Sequence, residues 1–192
     1  MVFAVATNNQ KKLKEIQRIL DSFGITAKTL RDLSIEIEIE ENGTTFEENA
    51  IIKAKSGLAQ TGYISVADDS GICITGLDDF PGVLTHRFLG EEATDDDRNN
   101  ELINKTNSLS NRSAKVVCVL VYYDGKNTVV GEGVLEGKIA TSPRGKNGFG
   151  FDSIFELPNG KTLAELTSEE KNKQSARYLA AIDLKEKIIE LI

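Results

Sequence analysis

The sequence contains few residues of the kinds that build cross-links or zinc sites. It has two cysteines and one histidine among 192 residues. Cys73 and Cys118 each lie within an apolar, strand-like run and form no CxxC pair, so we expect two buried, reduced thiols. A single histidine, His86, cannot contribute to a Cys/His cluster, and the sequence therefore argues against a structural zinc site.

Long apolar runs and an excess of basic residues are also missing. No run approaches the roughly 20 residues that a membrane helix needs, and the opening MVFAVATNN lacks the charged start and long apolar stretch of a signal peptide. The formal net charge is −7, which argues against binding to duplex nucleic acid but permits a small phosphorylated ligand. We expect a cytoplasmic protein that binds neither membranes nor nucleic acid.

Strand-like and helix-like patterns mix along the whole chain, without repeats or low-complexity tracts. Residues 2–6 predict a strand, and apolar residues at helical spacing then predict a helix that ends at Gly24. Residues 35–41 alternate strictly, as in a half-buried strand. Thr45 and Glu48 stand at capping-box spacing before a second helix.

The second half of the chain continues this mixture. Residues 91–109 predict a polar surface helix, and two strand runs joined at Asp124-Gly125 predict a hairpin. A further capping box at Thr167 predicts one long helix that continues to Ile192. We therefore expect an α/β protein in which residues 1–192 form a single domain.

A polar turn joins the first strand to the first helix. In TNNQKK, Thr7 to Lys12, polar side chains and backbone N–H groups can wrap a phosphate with which Lys12 can pair. A helix N-cap followed by a solvated lysine explains the same residues. A lysine in the first helical turn opposes the helix dipole, so an external anion would be a suitable compensator.

Adjacent carboxylates occupy the stretch VADDSG. Asp68, Asp69 and Ser70 at a strand end match the oxygen ligands of Mg²⁺, which we favour over an Asx-type turn. Because a desolvated charge is costly, we expect a magnesium ion carried by a nucleotide to compensate the pair. In EENG, Glu40 or Glu41 could also ligate a metal, although an acidic turn before a helix is commonplace.

A glycine-rich loop, GKNGFGFD, precedes the last helical region. Its glycines would let the backbone approach a ligand, and Phe149 or Phe151 could stack on a base. It is neither the GxxxxGK[ST] phosphate loop nor the dinucleotide fingerprint. Lys171 and Arg177 follow it, and each taken alone is an ordinary solvated helix charge.

Taken in order, these segments resemble the inosine triphosphate pyrophosphatase family. The strings ATNNQKKLKEI, EENGTTFEENAIIKA, ADDSG, PGVLTHRFLG, PRGKNGFGFDSIF and AELTSEEKNKQSARYLA span nearly the whole chain. The resemblance implies an elongated mixed β-sheet flanked by helices, with two lobes, a central active-site cleft and a homodimeric assembly. It implies Mg²⁺-dependent hydrolysis of ITP, dITP and XTP to the monophosphate and pyrophosphate, which removes these non-canonical purine nucleotides from the nucleotide pool.

The resemblance also implies roles for individual positions. Asp69 would accept a proton from the attacking water and would hold Mg²⁺ together with Glu41. Residues 7–12 would cradle the triphosphate, and residues 149–152 would form the base-side pocket. The full set implied to bind substrate is Thr7, Asn8, Asn9, Gln10, Lys11, Lys12, Ser70, Phe149, Gly150, Phe151, Asp152, Lys171, Ala176 and Arg177.

One position departs from the family pattern. The family usually has Ser-His-Arg where this chain has Ser175-Ala176-Arg177, and the alanine side chain cannot hydrogen-bond to a base. Arg177 remains as a donor to a 6-keto oxygen, so we expect discrimination against ATP and GTP to be altered or moved elsewhere. His86 is a conceivable substitute, although a structural or surface role is favoured for it.

Two other functions remain open at this stage. The first is a nucleotide-binding module with weak or broadened hydrolysis, because Ala176 replaces the usual histidine. The retained Asp69 and Glu41 argue against it, since a pure binder has less need of an intact metal-and-base pair. The second is a broad phosphatase that releases inorganic phosphate instead of pyrophosphate.

Overall fold

The fold is taken from a computed structural model of the chain. The described residues are 2–7, 9–30, 32, 33, 35, 41–90 and 92–189. The strand predicted over residues 35–41 lies almost entirely outside them and stays a prediction.

Strands and helices alternate along these residues, as the α/β pattern predicts. The strands are β1 (Val2–Val5), β2 (Thr26–Thr29), β3 (Ser65–Ile74), β4 (Phe80–Pro81), β5 (Ser113–Tyr123), β6 (Thr128–Ile139) and β7 (Phe155–Glu156). The helices are α1 (Gln10–Ser22), α2 (Phe46–Thr61), α3 (Asp95–Thr106), α4 (Ser168–Asn172) and α5 (Ala176–Ile188). Short 3₁₀ turns lie at Thr75–Leu77, Gly82–Leu84, Gly150–Ser153 and Leu163–Glu165.

The strands form one mixed sheet. Its order is β2-β1-β3-β5-β6-β7, and β4 pairs with β3. β1 runs parallel to β2, with Val2 opposite Thr26, and parallel to β3, with Ala4 opposite Ser65. A parallel neighbour requires a crossover connection, which α1 supplies between β1 and β2. The pairs β3–β4 and β6–β7 are antiparallel, so the predicted mixed sheet with flanking helices is confirmed.

The chain divides into two compact units. Unit 1 consists of Met1–Ser70, Cys118–Gly133 and Ala176–Ile192, and unit 2 consists of Gly71–Val117 and Val134–Ser175. Unit 1 contains β1, β2, α1, α2 and α5, whereas unit 2 contains β4, β7, α3 and α4. β3, β5 and β6 contribute residues to both. The single domain with a cleft between two lobes stays a prediction.

Helix α1 shows how the sequence pattern becomes packing in unit 1. Its apolar residues recur at helical spacing and are all buried: Leu13, Ile16, Ile19 and Leu20. Ile16, Ile19 and Leu20 line an apolar cavity together with Phe3 of β1 and Leu184 of α5. Gly24 follows the helix at a φ of +74°, a left-handed conformation that favours glycine and ends the helix as predicted.

The final helical region differs from the prediction of one long helix. Thr167 and Glu170 form the expected capping box, but α4 ends at Asn172 and a new helix begins at Ala176. The N–H of Lys173 turns back to the carbonyl of Glu170 at 3.3 Å, which closes α4 as a tight last turn. The prediction was wrong because no apolar residue between positions 167 and 175 continues the helical stripe.

Several local predictions are confirmed. The turn between β5 and β6 is held by Asp124, whose Oδ1 accepts the N–H of Asn127 at 2.6 Å. The predicted polar helix is α3, which is shorter than expected and is capped by Thr94. Cys73 and Cys118 are buried and unbridged, and burial raises their thiol pKa values to about 11 and about 12. None of the described helices combines the length and apolar character that crossing a bilayer requires.

Candidate active site

Asp68 and Asp69 lie in the middle of β3, not at a strand end as predicted. The strand runs without a break from Ser65 to Ile74, and all of its residues are buried. Successive side chains on a strand point to opposite faces of the sheet, so the two carboxylates meet different helices. A charge in such a position needs a partner, and the chain itself supplies partners to both.

Asp68 is paired with two buried cations. Arg177 donates to its Oδ2 through Nη2 at 2.9 Å and through Nε at 3.3 Å, and Lys12 Nζ lies 3.4 Å from the same oxygen. Burial alone would raise the pKa of Asp68, but the charges of Lys12 and Arg177 outweigh it and hold the pKa below its ordinary value. Asp68 is therefore an anion at neutral pH and is poorly suited to accepting a proton.

Arg177 connects three elements of unit 1. Besides Asp68 on β3, its guanidinium donates to Ser70 Oγ at 3.2 Å and forms an ion pair with Glu15 of α1. Asp68 is the main opposite charge that raises the pKa of Arg177 against the effect of burial. The structure thus places Arg177 in a buried ionic network, and its role as a donor to the base stays a prediction.

Asp69 has different partners, all from or next to α2. Lys53 Nζ lies 3.2 Å from its Oδ1, and Asn49 Nδ2 donates to its Oδ2 at 3.2 Å. Burial raises the pKa of Asp69 above its ordinary value, because the attraction of Lys53 does not offset it fully. A carboxylate with a raised pKa that remains hydrogen-bonded and oriented is suited to accept a proton.

Lys53 joins Asp69 to Glu41. The same Nζ lies 3.2 Å from Glu41 Oε1. Burial lowers the pKa of Lys53, but the charges of Asp69, Asp68 and Glu41 outweigh that effect and raise it, so the ammonium stays charged. Two carboxylate groups thus face one buried cation, and oxygen donors of this kind fit Mg²⁺.

The two predicted magnesium ligands both contact the ammonium of Lys53, and metal binding by them stays a prediction. Glu40 lies outside the described residues. Among those residues no cluster of three or more His, Cys, Asp or Glu side chains could hold a metal, so two carboxylates would be supplemented by substrate oxygens. The expectation that a nucleotide-borne ion compensates both aspartates is corrected for Asp68, which Lys12 and Arg177 already neutralise.

The turn before α1 supplies the N-cap residue Asn9. Lys12, in the first turn of the helix, is buried and not solvated. Asn9 Oδ1 accepts the backbone N–H groups of Lys11 at 3.0 Å and Lys12 at 3.3 Å, and Thr7 Oγ1 accepts the N–H of Asn9. Lys12 is buried and finds its anion in Asp68, so the expected external anion is not required for its compensation. The side of α1 facing solvent carries Gln10 and Lys11, and Asn8 lies outside the described residues.

The base-side residues are tied together within unit 2. Asp152 is buried, and its Oδ2 accepts Lys171 Nζ at 2.6 Å and the N–H of Phe149 at 2.7 Å. Lys171 Nζ also lies 4.8 Å from the centroid of the Phe149 ring. An aromatic ring, a carboxylate and an ammonium thus converge, as the resemblance implies.

Two glycines of this loop, Gly145 and Gly148, serve the chain's own packing. A Cβ on Gly148 would lie 2.0 Å from Asp152 Oδ2, and a Cβ on Gly145 would lie 2.2 Å from the carbonyl carbon of Ala164. Both glycines have φ values near +80°. They therefore allow the loop to pack against Asp152 and Ala164, and the approach of a ligand to this loop stays a prediction.

Two residues named in the sequence analysis for base selection lie in different units. Ala176 is the first residue of α5 in unit 1 and is buried. His86 is exposed in unit 2 and lines a cleft of about 240 Å³ together with Gly150 and Phe151. His86 thus lies beside Gly150 and Phe151, and its role stays a prediction.

Sequence reasoning missed the partners of Asp69. Asn49 and Lys53 are buried, and they belong to the stripe of α2 that also carries Ala50 and Ala54. A lysine within an otherwise small and apolar stripe is unusual, because a buried ammonium requires a carboxylate. The position of Lys53 in this stripe was the signal in the sequence that a buried carboxylate partner exists.

Comparisons with known proteins identify relatives of the whole chain. The model of the Ham1 family matches residues 3–187. The chain is 40% identical over 193 residues to the dITP/XTP pyrophosphatase of Thermoanaerobacter sp. (strain X514), covering 99% of this chain and 98% of that protein. It superimposes on a HAM1 protein from Coxiella burnetii with a TM-score of 0.89 at 39% identity, covering 99% of both chains. The Ham1 protein of Staphylococcus aureus gives a TM-score of 0.85 at 34% identity over 99% of this chain and 98% of that one.

Proposed function

The chain belongs to the Ham1 family, and from this premise we propose that it hydrolyses ITP, dITP and XTP to the monophosphate and pyrophosphate. The observation that carries the proposal is the state of Asp69. Its carboxylate is buried, has a raised pKa and faces Glu41 across the ammonium of Lys53. The relatives named dITP/XTP pyrophosphatases support the substrate class.

Asp69 is proposed as the proton acceptor for the attacking water. Asn49 and Lys53 fix both of its oxygens, so the carboxylate is oriented before substrate arrives. Asp68 cannot share this role, because Lys12 and Arg177 hold its pKa low. Adjacent carboxylates with separated pKa values are the pattern expected when only one acts as a base.

Glu41 and Asp69 are proposed to hold Mg²⁺. When bound, the ion would supply charge neutralisation on the phosphoryl oxygens. When no Mg²⁺ is bound, Lys53 would keep the two carboxylates together, since Lys53 Nζ is 3.2 Å from each. Lys11 and Lys12, at the start of α1, are proposed to stabilise the leaving pyrophosphate.

The base is proposed to lie against Phe149, with Lys171 as the discriminating donor. A 6-keto purine presents an acceptor oxygen where adenine presents an amino donor. The ammonium of Lys171, held by Asp152 at 2.6 Å, would favour the former and repel the latter. Removal of non-canonical purine nucleotides from the nucleotide pool completes the proposal and is supported by the named relatives. The homodimeric assembly is supported by the sequence resemblance alone, and the cytoplasmic location by the sequence features described above.

The test separates products as well as substrates. The protein is incubated with Mg²⁺ and ITP, dITP, XTP, ATP or GTP, and pyrophosphate and inorganic phosphate are quantified separately. We expect pyrophosphate from the first three and slow turnover of ATP. Asp69→Asn should lower kcat by about 10²–10⁴-fold, the usual contribution of a general base, while Asp21→Asn at an exposed site of α1 should not change it.

Other results would replace the proposal. Inorganic phosphate as the product would identify a broad phosphatase. Comparable turnover of ATP and GTP would retain the chemistry and remove the proposed selectivity. Binding of nucleotides without release of pyrophosphate or phosphate would identify a nucleotide-binding module. That alternative was raised because Ala176 replaces the usual histidine.

A further inference from the structure

Two side chains of α3 hold the backbone of Gly150, one at its N–H and the other at its carbonyl oxygen. The N–H of Gly150 donates to Asp95 Oδ2 at 2.9 Å, and its carbonyl oxygen accepts Asn99 Nδ2 at 2.8 Å. We propose that Asp95 and Asn99 form a clamp that positions the base loop, residues 149–152, for recognition of the purine. The inference rests on the proposed function and adds two positioning residues to it.

The clamp is built from residues one helical turn apart. Asp95 and Asn99 are at i and i+4, so they lie on the same face of α3. Asn99 is buried, 4% exposed, on a face that also buries Leu102. A buried amide is costly unless it is hydrogen-bonded, and Asn99 directs its Nδ2 to Gly150 O and, at 3.3 Å, to Ser153 Oγ. Both of these acceptors belong to residues 150–153, so the buried amide serves the loop.

The base loop needs such support because its conformation is unusual. Gly150 has a φ of +61°, in the left-handed region. The loop's own hydrogen bonds, from Asp152 N–H to Phe149 O at 3.2 Å and from Phe149 N–H to Asp152 Oδ2, join its two ends and leave the Gly150 peptide to α3. The clamp therefore holds the backbone of Gly150, which the hydrogen bonds between Phe149 and Asp152 do not hold.

A displacement of Gly150 would reach the groups proposed to touch the base. Phe149 precedes Gly150, and Asp152 follows it and holds Lys171. Lys171 in turn lies over the Phe149 ring. Because binding depends on placement to within about 1 Å, loosening the clamp should weaken recognition of the base without removing any group that touches the reacting phosphate.

The experiment measures KM and kcat for ITP and ATP in clamp variants. Asp95→Ala and Asn99→Leu should each raise KM for ITP about tenfold, the effect of one lost hydrogen bond to a fixed group. In both variants kcat should stay within about threefold, because Asp69 and Glu41 are untouched. Asp95→Asn keeps an acceptor oxygen and should recover most of the affinity. Asp96→Ala, at the exposed neighbouring position of the same helical turn, is the matched control.

The remaining outcomes decide against the clamp or against the function separately. An active wild-type enzyme whose KM for ITP is unchanged by Asp95→Ala and Asn99→Leu overturns the clamp and leaves the proposed function intact. A fall in kcat that is equal for ITP and ATP at constant KM indicates a merely structural role and also overturns it. If the wild type releases no pyrophosphate, the proposed function fails. Calorimetric binding of IMP then decides: about tenfold weaker binding by both variants supports the clamp, and equal or absent binding refutes it.

Discussion

The two faces of β3 treat adjacent aspartates in opposite ways. On one face, Asp68 meets Lys12 of α1 and Arg177 of α5, and its pKa is lowered. On the other face, Asp69 meets Lys53 and Asn49 of α2, and its pKa is raised. The residues are of one type, are neighbours in sequence and are both buried, so only the helices that cover them differ.

This difference shows how a fold assigns roles within a simple motif. A carboxylate beside two cations contributes to stability as a charge, since neutralising it would remove the carboxylate that Lys12 and Arg177 share. Asp69 shares its paired cation, Lys53, with Glu41, and its pKa stays above the ordinary value. The strand supplies both groups, and the alternation of a strand delivers them to different partners.

The largest expected effect is on stability, at Asp68. Asp68→Asn should lower the free energy of unfolding by about 3–5 kcal/mol, the usual result of removing one partner from a buried ion pair. Asp69→Asn should lower it by about 1 kcal/mol or less, because the amide keeps an oxygen acceptor and no longer carries a buried charge. Urea unfolding of both variants measures the contrast, and equal losses would show that the two faces do not differ.

The pH dependence of unfolding should also separate the two aspartates. Asp68 has a lowered pKa in the fold, so its stabilisation is fully present above the unfolded value of about 3.9 and is lost as the pH falls through the lower folded pKa. Asp69 has a raised pKa, so its contribution becomes more favourable as the pH falls through that value towards about 3.9. Free energies of unfolding for wild type and each Asn variant, between neutral pH and acid, should therefore diverge with opposite signs. Parallel curves would contradict the assignment.

The smallest effect is expected at two serines of β3. Ser70 Oγ accepts a hydrogen bond from Arg177, and Ser70→Ala should lower the free energy of unfolding by about 1 kcal/mol. The control is Ser65→Ala, because Ser65 Oγ is buried and has no hydrogen-bond partner among the described residues. Ser65→Ala should therefore be neutral or stabilising. If Ser65→Ala lowered the free energy of unfolding more than Ser70→Ala, the hydrogen bond from Arg177 would not be the source of the Ser70 contribution.

Local patterns predicted much of the fold because they report local physics. The helical spacing in α1, the capping box of α2 and the turn at Asp124 each depend on a few neighbouring residues, and each is confirmed. The aspartate pair was recognised as a site for the same reason: two adjacent acids stand out in an apolar run. The split between α4 and α5 was missed because a capping signal marks where a helix begins and not how far it continues.

The partners of each site residue depend on tertiary structure. Nothing within ten residues of Asp69 indicates that Lys53 will reach it, since that contact follows from how α2 packs beside β1 and β3. The clamp on Gly150 likewise joins positions 51 and 55 residues apart along the chain. Resemblance to a family indicates which residues matter. The direction of their pKa shifts and the partners that position them follow only from the tertiary structure.

The Arg177 network has a consequence for how the chain becomes functional during synthesis. Asp68 and Arg177 are 109 positions apart, and Arg177 and Glu15 are 162 apart. A nascent chain therefore carries Asp68 and Lys12 long before the guanidinium that completes their neutralisation has been made. Such distant contacts form late, so we expect the ionic network around Asp68 to be completed only after the segment that carries Arg177 has been synthesised.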